Sequence, residues 1–444
     1  MKPARKTPSM TYSFVMTAVT SLAMTAATLL SGVVLARLLG PEARGAYGAA
    51  QFWAQFSVSL GTFSLYEAAV VRLRGSGETG ASRLPSLLVA ASCLSVAGFA
   101  LLSLAHLAGI VRVPNVSTAT FLAFALTALL IGQYSMSFMT IESAGLRFGW
   151  LNLDRAVSPV LFTGACLALY MADIASVPAV LLVFALTRLP VLILRFRHFR
   201  ECLPGKVDTP FLRSTGALGL RFHGAAAIGL VAGDADRLIV VSLWSEDLLG
   251  YYFVAVSATG AGFSLLVSSL RIILLPGLAG MEPDRRRASV ERLLRVTFAG
   301  CVLCALALFI AAPTLVPLIY GSDFAPAAGY VQGLLVPMML LPCISAISIC
   351  NRSAERGWPS MEMGLVSLIA FIGGYAATGF ATAPELFATM ALANVLSMIS
   401  GMRHLADHGD IRWSRAILPF PSDVRFMLGQ LSQLLRHRGA AYAR

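Results

Sequence analysis

The sequence predicts an all-α polytopic membrane protein, with about twelve transmembrane helices in two pseudo-symmetric six-helix bundles around a central cleft. Three observations predict this. The composition is too poor in charge for a soluble domain, apolar runs of spanning length recur along the chain, and basic residues crowd into alternate links. Of 444 residues, 57% are apolar and 13% charged, at a mean hydropathy of +0.75, whereas a soluble domain carries about 25% charged residues. Such a surface suits lipid better than water. The formal net charge of +12 does not point to nucleic acid, because the basic residues sit in short links between apolar runs.

A helix needs about 20 apolar residues to cross the hydrocarbon. The chain opens on MKPARK and an apolar run at 13–36. That run exceeds the roughly 7–15 residues of a signal-peptide core, so it reads as the first membrane helix. Runs follow at 46–70, 85–109, 118–143, 153–172 and 175–195, then at 214–244, 248–275, 293–319, 327–350, 361–380 and 383–403. The link RFRHFRECLPGKVDTPFLR divides six from six. It sets out an N-terminal bundle (1–197), a cytoplasmic linker (198–213), a C-terminal bundle (214–404) and a basic tail (405–444). In the tail, DVRFMLGQLSQLLRHR (423–438) interleaves apolar and basic residues, which suits an amphipathic helix on the inner leaflet, with a disordered tail as the alternative.

Twelve spans put both termini on one side. Links on that side carry Arg72, Arg74, Arg83, Arg195, Arg197, Arg200, Lys206, Arg285, Arg286, Arg287 and Arg352, while the opposite links carry only Arg37, Arg44 and Arg112. The bias places both termini in the cytoplasm. Among the seven cysteines, Cys301 and Cys304 form a C-x-x-C inside GCVLCALALF with no second pair nearby. Four ligands are needed for structural zinc, so buried thiols are expected and no metal. His404 and His408 lack the H-E-x-x-H core of a metalloprotease and read as surface residues.

An internal repeat supports the two-bundle reading. ARLLGPEARGAY follows the first span and VSLWSEDLLGYY the seventh. At a constant offset of 205 residues (250 − 45), Leu38 matches Leu243, Glu42 matches Asp247, Gly45 matches Gly250 and Tyr47 matches Tyr252. Six helices per half give the repeats one membrane orientation, which implies a pseudo-two-fold along the membrane normal with substrate between the halves.

VVLARLLGPEARGAYGAAQFWAQFSVSLGTFSLYEAAV, DADRLIVVSLWSEDLLGYYFVAVSATG and LIYGSDFAPAAGYVQGLLVP resemble segments of the Wzx-type polysaccharide and O-antigen flippases. These belong to the superfamily that also holds multidrug exporters of the MATE type and lipid II flippases. The resemblance covers most of residues 10–405. It implies alternating access for undecaprenyl-pyrophosphate-linked oligosaccharide units, moved from the cytoplasmic to the periplasmic leaflet. It further implies membrane lipids, a polysaccharide polymerase and chain-length machinery as partners, with no nucleic acid. No cofactor is implied beyond a coupling proton or sodium ion. The first span is thin in charge for such a protein.

Moving an anionic, hydrated headgroup through hydrocarbon requires a wet cleft lined by fixed cations. Arginine suits pyrophosphate because its planar fork binds two oxygens. Candidate substrate-binding residues are therefore Arg221 in the seventh span, Arg271 in the eighth, and Arg37 at the first outer turn. Snorkelling to the headgroups and interfacial anchoring are the plain alternatives. Candidate coupling or gating residues are Glu67, Asp234, Asp236 and Arg237; Asp234 and Arg237, three apart, can meet on one helical face. A MATE-like exporter of cations would favour acidic residues in its cleft. A polymerase or acyltransferase needs a catalytic loop, yet every outer loop is short. A scaffold would not need buried arginines.

Overall fold

The computed structural model describes residues 10–416 and Asp423, apart from 77–79, 146–147, 279–281 and 355. Among them all regular secondary structure is helical. In chain order the long helices are α1 (Met10–Leu60), α2 (Leu65–Ser76), α3 (Leu84–Leu107), α4 (Thr118–Ala144), α5 (Phe148–Met171), α6 (Val177–Leu186) and α7 (Leu189–His198). They continue as α8 (Thr209–Gly233), α9 (Ala235–Leu243), α10 (Glu246–Leu278), α11 (Pro283–Tyr320), α12 (Ala327–Ser353), α13 (Trp358–Thr378) and α14 (Ala383–Asp407). Nine helical stretches among the described residues are long and apolar enough to cross a bilayer. The expected amphipathic helix at 423–438 lies outside the described residues, except for Asp423.

Helix ends follow local chemistry. The Ser117 hydroxyl accepts from the Thr120 amide at the start of α4, and the Asp208 carboxylate accepts from the Phe211 amide at the start of α8. A Thr382–Glu385 capping box opens α14, and left-handed Gly379 closes α13.

Several expected spans are interrupted rather than continuous. The first two merge into α1 across a bend at Gly40, whose φ of 71° and ψ of 177° only glycine adopts readily. The second then breaks at Gly61–Ser64, where Phe63 and Ser64 have φ of 47° and 51°. Left-handed conformations at non-glycine residues cost on the order of 1–3 kcal/mol each and persist only where surrounding contacts impose them. The sixth span divides into α6 and α7 at Thr187 and Arg188, ahead of Pro190, which has no amide hydrogen with which to continue the helical ladder. The seventh divides into α8 and α9 at Asp234.

The described chain forms two compact units. The first runs to Ala258 and includes Pro313–Tyr330; the second comprises Thr259–Ala312 and the chain from Val331 onward. Both α10 and α11 contribute to each unit. The first unit's core joins Leu84 and Leu87 of α3, Phe138 and Ile141 of α4, and Leu192 of α7. Close approach is paid for with small residues: a Cβ on Gly132 would lie 2.8 Å from the Val58 side chain. The small-residue stretch GAAAIGLVAG of α8 is different. An added Cβ on Gly224, Gly229 or Gly233 meets nothing within 4 Å. The second unit's core gathers Val290, Leu294, Ile347, Met363, Met402 and Leu405.

Arginines counted as cytoplasmic link charges prove to be buried fasteners. Arg195 is fully buried and forks onto both oxygens of Glu142 at 2.9 Å, with Asp154 at 2.7 Å. In the second unit, Asp410 accepts from Arg286 at 3.0 Å and Arg356 at 2.9 Å, and Asp423 from Arg295 at 2.7 Å. His404, expected at the surface, holds Glu362 at 2.7 Å and so ties α14 to α13.

Candidate functional site

The aligned repeat turns meet each other inside the first unit. A Cβ on Gly45 would lie 2.0 Å from the Glu246 carbonyl oxygen, and one on Gly250 would lie 2.0 Å from that of Pro41. Only glycine at both positions lets α1 and α10 cross this closely. The matched tyrosines are both buried, Tyr47 at 1% exposure and Tyr252 at 0%. Two similar turns therefore act as reciprocal spacers at one crossing.

Beside this crossing lies a cavity of about 300 Å³. Helix α1 lines it with Arg44, Gly48, Gln51, Gln55 and Ser59, spaced three to four residues apart and so on one helical face. Asp234 and Arg237 close another side, and α10 adds Phe253, Val256 and Ser257. Gly48 admits the Phe253 ring, since a Cβ there would fall 2.3 Å from it.

Arg44 dominates the electrostatics. The sequence places it in an outer link; the structure places it in the first turn after the Gly40 bend, 6% exposed. Its Nε and Nη1 atoms are buried and have no hydrogen-bond partner. Two aromatic faces provide partial compensation, Tyr47 at 5.5 Å and Phe253 at 6.0 Å from the guanidinium carbon. The Gln55 side-chain nitrogen is likewise buried and unpartnered. Arg237 is half-exposed and pairs with Asp234 at 2.7 Å. Three charges thus line the cavity, two positive and one negative, with donors on Arg44 and Gln55 still unused. Such a lining attracts an anion and can offer it directed hydrogen bonds.

The other sequence candidates lie elsewhere. Asp236 is buried and accepts a hydrogen bond from the Tyr252 hydroxyl. Arg37 is exposed and donates to the carbonyls of Leu318 and Ile319 at 2.6 and 2.8 Å, capping the end of α11. Arg221 is exposed on α8, and Glu67 is exposed on α2. Arg271 belongs to α10, but its side chain is outside the described set. Sequence reasoning missed Arg44, Gln51, Gln55 and Ser59. The signal was present as a polar face with 4-3-4-4 register from Arg44 through Gly48 to Ser59 in an otherwise apolar run.

A second cavity of about 710 Å³ opens among the links, lined by Glu42, Arg112, Asn115, Trp244, Glu246 and Asp247. Burial, together with the Glu42 and Asp247 carboxylates, pushes the Glu246 carboxyl above its ordinary range, against the opposing hydrogen bond from Asn115. The Ser245 hydroxyl holds Asp247 below its own.

The model of a family described as "polysaccharide biosynthesis protein" matches residues 34–329. No curated protein matches the sequence. Solved structures share the fold at low identity. The lipid II flippase MurJ in an inward closed conformation aligns at 14% identity with a TM-score of 0.73, over 95% of this chain and 92% of its own. An inward-facing multidrug resistance MATE family transporter aligns at 13% and 0.66, over 88% and 98%. A MOP superfamily transporter from Pyrococcus furiosus, titled for the reverse polarity of its binding pocket, aligns at 15% and 0.54, over 89% and 95%.

Proposed function

Because this chain belongs to the polysaccharide biosynthesis protein family, we propose that it is a flippase for undecaprenyl-pyrophosphate-linked oligosaccharide units. It carries them from the cytoplasmic to the periplasmic leaflet by alternating access of the bundles 1–197 and 214–404, for exopolysaccharide, capsule or O-antigen assembly. The protein sits in a bacterial inner membrane with both termini cytoplasmic. It hands its product to a polymerase and chain-length machinery, and a proton or sodium gradient drives the cycle.

The observation that carries this reading is Arg44. A buried guanidinium with two unpaired nitrogens is costly in an empty site and is satisfied by a phosphoryl oxygen. A volume of about 300 Å³ lies at the small end of ligand pockets, about 300–1,000 Å³, the scale of a charged headgroup rather than of a whole oligosaccharide. The same charge balance disfavours export of cationic drugs.

The test is transbilayer movement of a fluorescent undecaprenyl-pyrophosphate sugar in proteoliposomes, read by quencher accessibility. Wild-type protein should accelerate it, and Arg44→Met should abolish the acceleration. Wild-type vesicles no faster than protein-free vesicles would refute the proposal.

A further inference from the structure

The larger cavity, about 710 Å³, has the wrong sign for an anion. Its walls come from the α3–α4 link, the α9–α10 link and Glu42, just past the Gly40 bend of α1. Carboxylates outnumber guanidinium groups there three to one: Glu42, Glu246 and Asp247 against Arg112. The field inside therefore repels a diphosphate, whereas the Arg44 cavity attracts one. Both cavities are built on the same two helices. Glu42 and Arg44 are two residues apart on α1, hence on nearly opposite faces, and each lines a different cavity. Helix α9 runs from Arg237 in the smaller cavity to Ser242 in the larger. The pair of cavities thus sorts its contents by charge.

The walls are held in place and offer both hydrogen-bonding senses. Trp244 is half-buried, and the perpendicular rings of Tyr252 and Tyr330, at 6.0 and 6.1 Å, fix its indole. Asn115 has a left-handed backbone, φ 52°, which asparagine tolerates, and its amide donates to the Glu246 carboxylate. The Ser245 hydroxyl donates to Asp247 at 2.6 Å. His106 braces the α3–α4 link through the Val111 carbonyl at 2.9 Å and the Thr118 hydroxyl at 3.4 Å. An ionised carboxylate has about four acceptor sites, so these bonds orient Glu246 and Asp247 without exhausting them. Arg112, exposed on the wall, adds donors.

We infer that this cavity is a carbohydrate site that receives uncharged sugars of the substrate at the outer face, apart from the pyrophosphate. The inference rests on the flippase reading for the origin of the sugar. The ligand class follows from the lining. Sugar hydroxyls donate and accept at once, so they suit carboxylates and a guanidinium on one wall. The apolar C–H face of a pyranose ring packs on a fixed indole, whose amphipathic ring suits a half-wet wall. The volume falls within the range of small-ligand pockets, about 300–1,000 Å³, and is more than twice the 300 Å³ of the Arg44 cavity. A metal ion fits less well. Hard cations take about six or more oxygens, and no group of three metal-ligating side chains converges among the described residues.

The experiment screens purified full-length protein on a printed array of bacterial surface oligosaccharides that carry neither lipid nor phosphate. Dissociation constants in solution follow for the strongest binder. Wild type should prefer uncharged glycans to acidic ones. Trp244→Ala should weaken binding about tenfold or more, and Glu42→Ala, at an exposed residue, severalfold. No glycan bound by wild type overturns the proposal, as does a preference for acidic glycans. So does affinity unchanged in a folded Trp244→Ala. Should that variant fail to fold, unchanged affinity in Glu42→Ala overturns it instead. Displacement of the glycan by equimolar tetraethylammonium overturns it too, by assigning the cavity to organic cations. No lipid-linked substrate enters this assay, so absent glycan binding leaves transport through the Arg44 cavity standing. Absent transport in proteoliposomes, with glycan binding intact, sinks the flippase reading alone.

Discussion

Replacing Arg44 by methionine should make the protein more stable and inactive at once. Methionine fills a similar stem volume without charge, and such volume-conserving changes usually cost under about 1.5 kcal/mol. The charge it removes is 6% exposed and has two unpaired nitrogens. Desolvating an ion in a protein interior costs several kcal/mol. The Tyr47 and Phe253 faces at 5.5 and 6.0 Å return roughly 0.5–2 kcal/mol. The balance is a gain of about 1–3 kcal/mol for Arg44→Met, or several degrees in unfolding temperature. Two assays are needed together: thermal unfolding of the purified protein without substrate, and polymer output in cells at matched protein levels. A lowered unfolding temperature would show that the guanidinium is a structural fastener, and the anion-site reasoning would fail.

Other outcomes follow from the same geometry. Gly250→Ala should prevent folding or sharply lower the unfolding temperature, because its Cβ would lie 2.0 Å from a backbone oxygen that no rotamer change can move. Gly229→Ala, which meets nothing within 4 Å, should be tolerated in the same measurement. Arg195→Met strands Glu142 and Asp154 and should cost about 3–5 kcal/mol; lysine, lacking the planar fork, should rescue it only in part, as read by denaturant unfolding. Glu246→Gln should stabilise the protein at neutral pH. A raised carboxyl pKa gives stability that is present below the unfolded value, near 4.3, and is lost as pH rises through the folded value. The gain should therefore vanish on acidification, and unfolding temperatures across pH 4–7 will show whether it does.

The membrane class was legible because it rests on composition and run length, which need no tertiary information. The repeat was legible as a pattern, and Gly45 and Gly250 were marked by it, but not that the two turns touch. Asp234 and Arg237 could be paired from a spacing of three because neighbours on a helix face are set by local geometry. Arg44 could not be placed, because a residue four positions beyond a bending glycine is a loop residue by count and a buried one by fold. Arg195 was misjudged for a related reason: its partners, Glu142 and Asp154, lie 53 and 41 residues away.

By itself the sequence determined that the chain is helical, lives in a bilayer and concentrates its arginines in alternate links, because hydrophobic transfer and helix periodicity act over one or two turns. Only the tertiary structure decided where spans break, which arginines are fasteners, and which one faces a cavity with its donors unspent. Those outcomes depend on whether a distant partner arrives to satisfy a buried charge, and no local stretch of residues encodes that.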